Sequence, residues 1–313
     1  MKLDSQTTAF VFPGQGSQVV GMGRELAVQY PVAKQTFDEA DSILGFALSK
    51  LMWDGPESEL NDTINTQPAL FVHSMASFRV FSHLNPDFKP AALAGHSLGE
   101  LSALAAAGAL SFESGLRLVR KRGELMKKAG EMNPGGMAAI LNLDIPALEK
   151  VCDEASHVNE SVQVANDNCP GQVVISGSKA AVERAMAGAK TAGAKRAIPL
   201  AVSIAAHSKL MASIQDKWNE SVNHAGIGEA KIQIIGNVVA KSIQSAADLS
   251  ADIQSQLQSR VRWTETIQLL GSQGITTFVE VGAGNVLLGL IHRINSSIAG
   301  YALGNPSDFT ALE

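Results

Sequence analysis

Ala91-Ala92-Leu93-Ala94-Gly95-His96-Ser97-Leu98-Gly99-Glu100 is the stretch from which the fold can be read. Residues 91–94 form a short apolar run suited to a buried strand, and residues 100–107 are rich in helix formers. Between them, Gly95, Ser97 and Gly99 match the G-x-S-x-G pattern of a sharp strand-to-helix turn. Glycines two positions either side of the serine let the backbone fold tightly and leave room beside the hydroxyl. The helix that follows would aim its first amides, starting with that of Leu98, at negative charge developing near Ser97. A chance five-residue match is the plain alternative, and the flanking strand and helix argue against it.

Working outward, Ala9-Phe10-Val11-Phe12 reads as a buried strand ending in the tight loop Pro13-Gly14-Gln15-Gly16-Ser17. Helical patterns follow from about Met22, over 29–51, 68–84 and 112–129. Beyond residue 200 strands and helices alternate again, including a strand at 276–281 and a helix at 286–294. Such alternation predicts a mostly parallel sheet covered on both faces, hence an α/β fold. Residues 137–199 differ: strands at 137–141, 162–165, 173–176 and 196–200, with helices at 146–155 and 180–192. The 166–171 segment is expected to join the middle strands, and Asn133-Pro134-Gly135-Gly136 to serve as linker. The order β-α-β-β-α-β predicts a ferredoxin-like small domain, 133–199, inserted into a large domain of 1–132 and 200–313.

Bulk properties narrow the function classes. With 313 residues, 45% hydrophobic and 18% charged, the chain has ample material for a packed core. No apolar run reaches the length of a membrane span, and the N-terminus lacks a secretory pattern. Two cysteines, Cys152 and Cys169, make neither a disulfide framework nor a metal motif, so cytoplasm is expected. The net charge of −5 argues against nucleic acid as partner. Gly14-Gln15-Gly16 and Gly282-Ala283-Gly284 lack the third glycine of a dinucleotide loop, having Val19 and Leu287 there. No phosphate-binding P-loop or paired metal-ligand motif occurs.

A nucleophilic serine needs a base, and seven histidines compete. His96 adjoins the serine and would project elsewhere; His73, His83, His157, His224 and His292 lie in less suitable contexts. His207 ends the run Ile198-Pro199-Leu200-Ala201-Val202-Ser203-Ile204-Ala205-Ala206, read as a strand end, where sites in α/β folds gather. The bland alternative is a structural histidine. Arg122 carries a sharper signal. At about 100° per residue, Gly115, Leu118, Leu125, Met126 and Ala129 fall beside it, while Arg120, Lys121, Glu124, Lys127 and Lys128 project from the other side. A guanidinium on an apolar face needs an anion or acceptors, and no acid shares that face. It reads as a fork for a substrate carboxylate or, alternatively, as half of a structural ion pair.

These residues resemble the malonyl-CoA:acyl carrier protein transacylases and related polyketide acyltransferase domains. The matching pieces are residues 10–18, Gly95 to Glu100, Arg122-Gly123, Asn166 and Asn168 ahead of residues 170–175, Val202-Ser203 before His207, and Glu280-Val281-Gly282. The resemblance implies an α/β-hydrolase-like large domain with the small insert, and the site between them. It implies Ser97 as the acylated nucleophile, His207 as base, and the amides of Gln15 and Leu98 as the oxyanion hole. Arg122 would grip the malonyl carboxylate, and the main-chain carbonyl of Gln256 would orient His207. This sequence departs from the family at Ala201, Ala206 and Ala283; Ala206 bears on acyl size. Leu98 is as in malonyl-selective members.

The expected reaction is transfer of malonyl from malonyl-CoA to the phosphopantetheine thiol of acyl carrier protein. The enzyme would serve fatty acid or polyketide synthesis, as a monomer. No cofactor or metal is implied, since coenzyme A enters as the substrate's thioester. The anionic carrier would dock near Arg120, Lys121, Lys127 and Lys128 with Lys190, Lys195 and Arg196 of the insert; an ordinary solvated face is the alternative. A serine hydrolase or proofreading acyl-thioesterase on the same dyad is the main rival, disfavoured by Arg122. A non-catalytic carrier-binding protein would be expected to lack the serine or the histidine.

Overall fold

The computed structural model describes residues 3–312, so Met1, Lys2 and Glu313, the ends of the expected large domain, lie outside it. Its strands are β1 (Thr8–Phe12), β2 (Ala92–Gly95), β3 (Gly135–Leu141), β4 (Val162–Cys169), β5 (Gln172–Ser178), β6 (Arg196–Pro199), β7 (Ile234–Ile235), β8 (Ser242–Ile243), β9 (Thr277–Val281) and β10 (Ala299–Leu303). They form two sheets. The larger has the order β10-β9-β1-β2-β7-β8, and all its pairings are parallel except β7 with β8. All five residues of β1 are buried, as central strands of a sheet covered on both faces must be. The second sheet has the order β4-β5-β3-β6 with every pairing antiparallel. The chain is therefore a mixed α/β protein.

The helices that matter most for the site are Thr63–Leu84 and Phe112–Met132, which pack on each other. The first begins earlier than its pattern suggests, because Asp62 accepts from the Ile64 amide at 3.2 Å and caps it ahead of Pro68. The second is capped by Ser111, whose Oγ accepts from the Ser114 amide. Gly123 lets the helices cross closely, since a Cβ there would lie 2.7 Å from the Thr63 carbonyl oxygen. That approach brings the neighbouring Arg122 within reach of Gln67.

Four local expectations change. The 29–51 helical pattern is two helices, Pro31–Leu44 and Leu48–Asp54, interrupted at Gly45. Gly135 and Gly136, expected in a linker, already belong to β3, where they pair with Ser178 and Gly177. The expected 166–171 loop is mostly strand: β4 continues to Cys169 through two register shifts. This places Asn166, Asp167 and Asn168 on a buried surface rather than in a turn. Lastly, the run 198–206 is not a strand leading to His207. β6 stops at Pro199, and His207 lies in the irregular return that follows, at φ 57. Alternating apolar residues mimicked a strand there, but the segment pairs with no neighbour beyond Pro199.

Candidate active site

Loops leaving the carboxyl ends of β1, β2 and β7 converge, as ligand sites in parallel sheets do. After β2 the chain turns sharply, with Ser97 at φ 53, and enters the helix Gly99–Ala106. Cβ atoms at Gly95 or Gly99 would collide with backbone, that of Gly99 with the Phe12 carbonyl oxygen. The His96 amide donates to that same oxygen at 3.0 Å, so β1 and the turn are locked together. Gly14, in the loop after β1, packs close enough that its Cβ would lie 2.5 Å from the His96 carbonyl oxygen. Gln15 is thereby held beside the turn. Two residues past β7, Asn237 accepts the Ser97 amide at 2.8 Å and donates to the Gly95 carbonyl at 2.7 Å. With the Ser97 amide occupied, the next amide available to a ligand is that of Leu98.

Ser97 meets two partners. Its Oγ lies 2.8 Å from His207 Nε2, while Arg122 Nη2 donates to it at 3.0 Å. His207 Nδ1 lies 2.9 Å from the Gln256 carbonyl oxygen. A carbonyl only accepts, so Nδ1 carries the proton and Nε2 presents a lone pair to the Ser97 hydroxyl. Burial, followed by the nearby Arg122 charge, lowers the imidazole pKa to about 3, which keeps the ring neutral. Gln163, from β4, donates to the His207 carbonyl at 3.1 Å and to the Gln258 carbonyl at 2.9 Å. The second sheet thus helps to hold the histidine.

Arg122 is 1% exposed, as its place on the apolar stripe predicts. Its other donors go to Gln67 Oε1 at 3.0 Å and Gln256 Oε1 at 2.7 Å. Among the described residues it forms no ion pair with a carboxylate, and its Nε finds no hydrogen-bond partner. Burial lowers its pKa to about 10, leaving it charged at neutral pH. Such a cation is bound only by neutral groups, a costly arrangement unless an anion arrives.

All six residues picked from the sequence are at or beside this cluster: Ser97, His207, Arg122 and Gln256 by direct bonds, Leu98 and Gln15 by position. Gln15 also accepts from Thr63, which in turn accepts from Gln67, linking it to Arg122. Gln67, Glu100, Gln163 and Asn237 were not singled out. The signal for Asn237 was its place just after a short apolar run, at a strand's carboxyl end; the others carry no local signal. Among the remaining histidines, His96 bonds to Asn168 at 2.8 Å and the buried His73 to the Gly304 carbonyl. On the expected basic face, Lys127 pairs with Asp62 at 2.6 Å and Arg120 with Glu124 at 3.1 Å, so part of its charge is already partnered. No group of three or more His, Cys, Asp or Glu placed to hold a metal occurs among the described residues.

Comparison with known proteins agrees with this geometry. Residues 9–301 match the acyl transferase domain family. The chain belongs to it. A malonyl CoA-acyl carrier protein transacylase of Bacillus subtilis is 48% identical over 300 residues, 95% of this chain and 93% of the relative. The crystal structure of an acyl carrier protein S-malonyltransferase from Vibrio cholerae matches with a TM-score of 0.95 at 43% identity, covering 98% of this chain and all of that one. A malonyl-transacylase solved in complex with its type II polyketide synthase acyl carrier protein matches with a TM-score of 0.94 at 42% identity, covering 97% and 98%. The chain is thus an acyltransferase of the malonyl CoA-acyl carrier protein transacylase family. In this acyltransferase no described helix is long and apolar enough to cross a membrane.

Proposed function

We propose that this acyltransferase moves malonyl from malonyl-CoA to the phosphopantetheine thiol of an acyl carrier protein, through an ester on Ser97. One observation carries the reading: the Ser97 hydroxyl lies between a neutral His207 and a buried Arg122 that no protein carboxylate neutralises. His207 Nε2 takes the Ser97 proton as Oγ attacks the thioester carbonyl. The amides of Leu98 and Gln15 hold the resulting oxyanion, each worth about 3 kcal/mol of the barrier. Collapse expels the coenzyme A thiolate, which receives the proton from His207. The carrier thiol then gives its proton to His207, attacks the malonyl ester, and Ser97 takes the proton back. Throughout, the Gln256 carbonyl steadies the imidazole and Arg122 binds the malonyl carboxylate with two parallel hydrogen bonds.

The same reading takes residues 133–199 as a ferredoxin-like insert in an α/β-hydrolase-like large domain. Its support is the β-α-β-β-α-β order and the strand order β4-β5-β3-β6. The protein would act as a cytoplasmic monomer in fatty acid or polyketide synthesis, with the carrier as partner, as for its relatives. It needs no cofactor or metal. Intact mass after malonyl-CoA treatment tests the reading. The parent should gain one malonyl group that holo carrier protein removes, and Ser97→Ala should gain none. Free malonate released without carrier, as fast as the ester forms, would establish the thioesterase alternative instead.

A further inference from the structure

Glu100 sits at the node of the site's hydrogen bonds. It follows the turn directly and is fully buried. Its Oε1 accepts the Asn237 amide at 3.1 Å, and Asn237 in turn holds the Ser97 amide. Its Oε2 accepts from Gln256 Nε2 at 2.5 Å; that nitrogen also donates to the Ser97 carbonyl at 2.9 Å. A primary amide has one donor end and one acceptor end. With Nε2 engaged by two acceptors, Gln256 must turn Oε1 the other way, where it accepts from Arg122 Nη2 at 2.7 Å. Reversing the amide would set an N–H against a guanidinium N–H and leave an oxygen facing two oxygens.

We propose that Glu100 is a positioning residue for acyl-group selection, fixing the Gln256 amide so that Arg122 is held beside Ser97 in reach of a substrate carboxylate. The idea rests on the malonyl reading of Arg122. It explains why a carboxyl group is buried here although it forms no ion pair among the described residues. Burial and then the adjacent Asp252 push the Glu100 carboxyl well above the usual range, so it keeps its proton. Asp252 is the hydrogen-bond partner on its far side, itself held by the Val238 and Val239 amides at 3.1 and 3.0 Å. A neutral acid orients Gln256 without neutralising Arg122, which an ionised one would do. The cation stays available for the substrate.

The test compares single-turnover acylation of Ser97 by malonyl-CoA and acetyl-CoA in the parent, Glu100→Ala and Arg122→Ala. Loss of the Gln256 anchor should lower the malonyl rate about tenfold or more and the acetyl rate much less, so the malonyl-to-acetyl ratio falls. Glu100→Gln, neutral and nearly isosteric, should restore part of that ratio. A general loss of structure would lower both substrates together, so the ratio separates positioning from packing. If Glu100→Ala fails to fold, Glu100→Asp decides, because its carboxyl is one methylene short of Gln256 Nε2. An unchanged ratio in the folded variant overturns the proposal. Should Arg122→Ala also leave the ratio unchanged, the malonyl reading itself falls; if only Arg122→Ala lowers it, the role of Glu100 alone is lost.

Discussion

Arg122 Nη2 and His207 Nε2 contact the same atom, Ser97 Oγ, at 3.0 and 2.8 Å. A serine oxygen can accept from the first while donating its proton to the second. The arginine therefore favours developing negative charge on the nucleophile and lowers the pKa of the base, which keeps that base free of a proton. One buried cation does both, and binding a carboxylate would be its third task.

Arg122→Ala should lower acylation by malonyl-CoA by about a hundredfold or more, since two charge-assisted hydrogen bonds at roughly 1.5–3 kcal/mol each are removed. Acetyl-CoA has no carboxylate to lose and should fall far less. Rapid-quench acylation with both thioesters measures this; equal losses would contradict a carboxylate fork.

The low pKa of His207 predicts an unusual pH profile. A base with the ordinary histidine value of 6.5 would give an acid limb there, whereas one lowered to about 3 stays competent well below it. Acylation rates should be nearly flat from about pH 8 down to about pH 5. The linkage has a definite sign: the unfolded chain binds this proton near pH 6.5 and the folded one only near 3. Stability from His207 is therefore present above 6.5 and lost as pH falls toward 3. A limb centred near 6.5 would mean that the imidazole is not shielded as described.

Gly99→Ala offers a test by sign. In an exposed helix interior alanine is better than glycine by about 1 kcal/mol. Here the new Cβ would collide with the Phe12 carbonyl oxygen, which cannot move without pulling β1 from the sheet. A loss of about 3 kcal/mol or more, or no folded protein, is expected by thermal unfolding. Any gain in stability would refute the close packing of turn on strand.

Glu280, in β9, accepts the Leu288 amide at 2.9 Å with Oε2, while the buried Oε1 has no partner among the described residues. Burial raises its pKa from 4.5 to about 7. The unfolded chain releases this proton near 4.5 and the folded one near 7, so stability is full below 4.5 and is lost as pH rises through 7. Glu280→Gln should match the parent at pH 4 and exceed it at pH 8 by up to about 3 kcal/mol, or a few degrees in Tm. Calorimetry at the two pH values would show it; an equal difference at both would exclude a titration at this site.

What the amino-acid order determined by itself was local. The glycines around Ser97 declared the turn, because steric demands at a strand-to-helix corner fall on residues a few positions apart. Helical periodicity placed Arg122 on a buried stripe, because a helix face repeats on a scale a short window captures. Family likeness, rather than periodicity, pointed to Gln256. Tertiary structure alone decided how these pieces meet. Ser97 is 110 positions from His207 and 159 from Gln256, and such bonds leave no repeating trace in a sequence. His207 shows the difference most clearly: its approach looks like a strand, but the chain bends out of the sheet there. Its place is held by carbonyl contacts from Gln163 and Gln256, which depend on where distant segments pack and not on which residues stand next to it.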